Sequence, residues 1–131
     1  MMLRLADYIR NNRGQSLVEF ALVLPVLTLL VFGIIDYGRL FNEFLVISHA
    51  SREGARAGIV SAATLSTVNA AVKSAAPNRT NLTIAMNPST PVRGNPVTVT
   101  VTSRLTLLTP VSTLFSQNPF PVTAATTMRA E

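Results

Sequence analysis

The sequence predicts an α+β protein: a long amino-terminal helix, a short second helix, and a small antiparallel sheet of about three strands packed on the long helix. Three observations carry this. Leu17 to Ile35 is an almost unbroken apolar run of membrane-spanning length. Apolar residues at helical spacing continue to about Val60 and return between Ser61 and Ala76. Beyond Pro77 and Asn78 the period becomes two, most clearly where Val97, Val99 and Val101 alternate with Thr98, Thr100 and Thr102.

The first element is the apolar run, about 19 residues or roughly 28 Å as a helix, close to the thickness of a hydrocarbon layer. Within it only Glu19 is charged. Arg4, Arg10 and Arg13 precede it against Asp7 alone, so the positive-inside rule puts the amino terminus in the cytoplasm and residues 36–131 outside. The run exceeds a signal-peptide core of about 7–15 residues, and no small-residue cleavage site follows it before Asp36, which predicts a retained helix. Pro25 removes the hydrogen bond to the Ala21 carbonyl and predicts a kink. An ionised Glu19 is costly in lipid and calls for a partner. Gly14, five positions earlier and preceded by Arg13, suggests a peptidase that cuts after Gly14 and leaves an ammonium on Gln15 to meet Glu19.

Past Asp36 the stripe continues through Leu40, Phe41, Phe44, Leu45 and Ile47, with Asp36/Arg39 and Arg39/Glu43 expected as surface pairs. Ala50, Gly54, Ala57 and Gly58 then form a small-residue face on which a sheet or neighbouring helix can pack closely. Arg52, Glu53 and Arg56 are expected as a solvated or intersubunit charged face. His49, the one histidine, is read as a surface partner of Glu53, because no third group orients a dyad.

A second helix is expected over Ser61 to Ala76, stopped by Pro77 and Asn78. Strands follow at Thr80 to Asn87, Asn95 to Ser103 and Pro121 to Arg129, the first two joined by a turn from Pro88 to Gly94. The connection Leu105 to Phe120 carries Leu107, Leu108, Val111, Leu114 and Phe115. Covering the sheet edge, touching the membrane surface and meeting a partner subunit are all open to it. The sequons at Asn78 and Asn81 are read as chance matches. The resulting divisions are a basic leader (1–14), a transmembrane helix (15–35), an extracytoplasmic extension (36–60) and a small α+β domain (61–131).

Composition narrows the function. The 131 residues are 48% hydrophobic and 13% charged, against about 25% charged in ordinary soluble domains. The net charge of +5 is spread along the chain with few aromatics, which argues against nucleic-acid binding. No cysteine is present, so neither disulfides nor thiolate metal sites form. Outside the leader, Glu19 and Glu131, the acids are Asp36, Glu43 and Glu53, without metal-ligand spacing or a phosphate loop. No enzyme activity and no cofactor are expected.

Gly14-Gln15-Ser16-Leu17-Val18-Glu19-Phe20-Ala21-Leu22-Val23-Leu24-Pro25 resembles the amino-terminal signature of TadE-like proteins. These are pilin-like subunits of the tight-adherence (Flp) pilus system, related to type IV pilins and pseudopilins. The resemblance extends through Gly33 to Arg39 and Ala50 to Ala57, and returns faintly at Ala125 to Glu131. It implies cleavage by a prepilin peptidase between Gly14 and Gln15. Removing Arg4, Asp7, Arg10 and Arg13 takes away +2 and leaves a mature chain of formal charge +3. It implies that Glu19 pairs with the Gln15 amino terminus of a neighbouring subunit and sets register. The implied partners are the prepilin peptidase, other pilin or pseudopilin subunits, the Tad-type inner-membrane assembly machinery, and the bilayer before assembly. The implied locations are the inner membrane and, after assembly, a surface pilus. A minor pilin is favoured because the usual major subunit is much shorter. A TadE-like major pilin and a non-polymerising single-pass protein with an outer binding domain are the alternatives.

Overall fold

The computed structural model describes residues 12–60, 62–109 and 118–131. Most of the leader, Ser61, and the part of the apolar connection with Val111, Leu114 and Phe115 lie outside them. Among the described residues five elements follow in order: α1 (Asn12–Gly58), α2 (Leu65–Ala75), β1 (Leu82–Asn87), β2 (Pro96–Leu105) and β3 (Phe120–Arg129). The chain divides into two units, Met1–Ile35 and Asp36–Glu131.

In the first unit, α1 is apolar and bare. Leu17, Leu22 and Val26 are 69, 71 and 68% exposed, which water would penalise and lipid would not. The most apolar 18-residue window of α1 has a mean hydropathy of 2.6, and none of it is buried by protein. The helix runs on through Pro25. Three residues further on, the Thr28 hydroxyl donates to the Leu24 carbonyl at 2.8 Å.

The second unit is a three-stranded antiparallel sheet of order β1-β2-β3 with both helices contributing to its core. Central β2 shows why the alternating pattern matters. Val97, Val99 and Val101 are fully buried, and they face Met128, Thr126 and Ala124 across the β2–β3 ladder. The intervening threonines form cross-strand pairs, Thr98 with Thr127 at 2.8 Å and Thr102 with Thr123 at 3.0 Å. Ile47 and Ala50 of α1 and Val68 and Val72 of α2 complete a core built from medium and small side chains.

The elements match the expected order but shift at their ends. α2 starts at Leu65 because Ala62 has φ 70° and Thr64 is extended at φ −118°, ψ 161°. Thr64 then caps the helix: its N–H donates to Thr67 Oγ1 at 3.1 Å. β1 begins two residues late, whereas β2 extends to Leu105 and β3 begins at Phe120. The turn between β1 and β2 places Gly94 at φ 84°, which suits a residue without a side chain. The carboxy-terminal residues close the unit, with Ala130 N–H on the Asn95 carbonyl at 2.9 Å and Glu131 N–H on the Ile59 carbonyl at 3.2 Å.

Of the glycines of α1, Gly54 has the least room for a side chain. A Cβ there would lie 2.6 Å from Val72 Cγ2 and 3.1 Å from Val99 Cγ1, and neither short β-branched side chain can swing away. At Gly38 the same atom would meet open space. Gly54→Val should therefore lower stability by about 1–3 kcal/mol. Gly38→Ala should be neutral or stabilising by up to about 1 kcal/mol through helix propensity. Urea unfolding of the full chain in detergent, followed by circular dichroism, checks the contrast, and equal effects at the two glycines would contradict the packing.

Candidate functional site

The amino-terminal cluster is laid out along one helix. Gly14, Gln15 and Glu19 are all exposed. Glu19 Oε1 accepts a 3.4 Å hydrogen bond from Gln15 Nε2, one turn earlier. That weak contact leaves the carboxylate without a cationic partner among the described residues. An ionised group in an apolar stretch with only an amide beside it is electrostatically incomplete.

The outer half of α1 carries a buried stripe with four–three spacing. Asp36, Glu43, Ile47, Ala50, Gly54 and Gly58 are buried and Leu40 is half-buried. Of the small-residue face, Ala50, Gly54 and Gly58 are inside and Ala57 is half-buried. Ser51 and Ala55, at 1 and 0% exposure, belong to the buried set although they were not among the expected positions. The Ser51 hydroxyl shows the closeness of this seam: it donates to the Ser48 carbonyl at 2.9 Å and lies 2.7 Å from Thr126 Oγ1 on β3. Arg52 and Arg56 are exposed and Glu53 is half-buried, and none forms an ion pair among the described residues. His49 is exposed and makes no hydrogen bond to Glu53 among them.

The acidic residues of this stripe correct the sequence reading. Arg39 and Glu43 do not form a surface pair. Glu43 is 3% exposed and reaches across the domain, where Arg79 Nε donates to its Oε2 at 2.7 Å and the Ser103 hydroxyl donates to its Oε1 at 2.5 Å. Three elements of the fold meet on this one carboxylate: α1, the segment after α2, and β2. Asp36 is also buried, at 5%. It accepts from Leu108 N–H at 3.4 Å and from the Thr109 hydroxyl, while Arg39 Nη1 stands 3.8 Å away and donates to the Thr106 carbonyl at 3.1 Å. The signal was present in the spacing. Counting back from Ile47 by four, seven and eleven gives Glu43, Leu40 and Asp36, all on the core side. A distance of three or four between opposite charges is a poorer guide when that face is occupied.

Residues 14–56 match the family model described as TadE-like protein, the family whose amino-terminal signature that segment resembles. The match suggests a protein associated with the Tad pilus. Neither the curated proteins nor the solved structures gave a match.

Breaking the Glu43–Arg79 pair strands a buried carboxylate. Arg79→Ala should cost about 3–5 kcal/mol. Pairing it with Glu43→Gln should restore much of that, because the amide still accepts from Ser103 without a buried charge. A double-mutant cycle from urea melts measures the coupling, and strictly additive losses would contradict the network.

Proposed function

We propose that this protein is a TadE-like minor pilin or pseudopilin, cleaved by a prepilin peptidase after Gly14 and incorporated into, or priming, a Tad-type pilus. The observation that carries this reading is Glu19: a carboxylate inside an apolar, protein-free helix, five residues after Gly14, within the family match. Cleavage supplies the missing cation. The new ammonium on Gln15 belongs to a neighbouring subunit's Glu19 as the helices stack. Unit charges about 4 Å apart attract by about 4 kcal/mol at an effective dielectric near 20, before desolvation is subtracted. Such a pair fixes register more than it adds stability.

The role is structural rather than enzymatic. Asp36 and Glu43, the two buried acids outside the amino-terminal cluster, are engaged in holding the outer domain to α1. Before assembly the apolar helix lies across the inner membrane with the amino terminus in the cytoplasm. Tyr37, Phe41 and Leu45, exposed by 71, 54 and 51%, extend an apolar stripe past Ile35 for contact with other pilin subunits. The charged residues Arg52, Glu53 and Arg56 follow that stripe along α1.

Coexpression with a prepilin peptidase should remove residues 1–14, and Gly14→Ala should slow or block the cut, as read by intact mass. A chain that stays full length beside an active peptidase contradicts the processing step. Glu19→Leu should abolish incorporation into pili while leaving membrane insertion intact or improved. Normal assembly of that variant would contradict the registration role of Glu19.

A further inference from the structure

The second unit gathers arginines and an exposed leucine around the first turns of its own part of α1. Asp36 follows Ile35 directly. Leu108 and Thr109 are hydrogen-bonded to Asp36, and Thr106 to Arg39, so residues 106–109 are held against the stretch of α1 from Asp36 to Arg39. Leu108 is 73% exposed there. In the same unit a cleft of about 300 Å³ is lined by Arg39, Asn42, Glu43, Arg79, Ser103 and Arg104, among others.

The charges in this region are sorted by depth. The carboxylates face inward, with side chains only 7% (Asp36) and 4% (Glu43) exposed. The guanidiniums face outward: Arg39 is 34% and Arg79 28% exposed, and Arg104 is exposed with no hydrogen bond among the described residues. The displayed surface is therefore positive although the cluster is nearly neutral. At about 1.5 Å per residue, Arg39 stands roughly 6 Å along the helix from Ile35. The headgroup layer beyond the hydrocarbon is about 5–8 Å thick on each side. Arg39 is thus about as far along the helix from Ile35 as the headgroup layer is deep, and Arg79 and Arg104 line the same cleft.

We propose that this face docks on the membrane from which α1 emerges, with Leu108 entering the interface and Arg39, Arg79 and Arg104 binding the phosphates of anionic lipid headgroups. Guanidinium forks suit phosphate oxygens, and an apolar side chain beside them suits the acyl boundary. The proposal rests on residues 17–35 spanning a bilayer. Its consequence is that the outer domain is restrained on the membrane while the subunit is stored in lipid and is freed when the helix is extracted.

The chain has no cysteine, so single cysteines introduced at Leu108 or Leu27 can each carry a spin label in the full-length protein. Nanodiscs of phosphatidylcholine, with and without phosphatidylglycerol, supply the membrane, and collision with oxygen or a water-soluble nickel chelate reports depth. The Leu27 label should be lipid-exposed in both; if it is in water, the span itself fails and the docking falls with it. With Leu27 in lipid, the Leu108 label should sit at headgroup depth, more so with phosphatidylglycerol. Arg104→Gln should lower the docked-to-free ratio about fivefold, the share of one arginine near an anionic surface. A Leu108 label equally wet in both lipids, or indifferent to both Arg104→Gln and Arg104→Glu, overturns the proposal. The lipid comparison needs no arginine substitution, so it stands even where a variant folds poorly.

Discussion

A single helix carries two different surfaces, one apolar and bare and one packed on the chain's own domain, and the rest of the structure follows from that constraint. From Leu17 to Ile35 the side chains other than Glu19 and Thr28 are apolar, and nearly all are exposed. From Asp36 onward one stripe is buried against the chain's own sheet and second helix. A helix exposed to lipid can be uniformly apolar, whereas one that carries a domain in water must divide its surface. The change is abrupt, and it falls at a carboxylate. Asp36 ends the lipid-compatible stretch and begins the packed one, accepting bonds from Leu108 and Thr109.

The domain that covers the helix is small, and its architecture compensates. Its core relies on valine and alanine more than on aromatics, so close approach takes the place of bulk. Gly54 permits that approach on one side, and the Ser51–Thr126 contact marks it on the other. Glu43, tied to Arg79 and Ser103, then fixes how α1 meets β2 and the segment after α2. A purely apolar seam of small side chains tolerates sliding. A buried carboxylate with two directional partners does not, which is the register role best attested for such groups.

Much of this was legible in the residues. The apolar run, the two-residue period of β2, and the stop at Pro77 and Asn78 each follow from local rules, and the structure follows them. The start of α2 was less legible because Ser61 to Ala63 have helix-compatible composition, and the positive φ of Ala62 is set by its surroundings. Glu43 was misplaced for a different reason. Its partners lie 36 and 60 positions away, beyond anything a helix-surface pair rule considers. The Glu19 reading stands differently again. The helix presents the carboxylate beside Gln15 and leaves the charge unmatched among the described residues, so its role depends on a second molecule.

Cysteine-scanning alkylation along α1 shows whether the helix changes medium at Asp36. Single cysteines from residue 17 to 57 would be probed in membranes of cells lacking pilus machinery, before and after urea. Continuous protection through Ile35 should give way to a helical pattern. Positions 37, 41 and 45 should react freely, and 47, 50 and 54 only once the domain is unfolded. Continuous protection running beyond residue 45, or a helical pattern already present at residue 20, would contradict it.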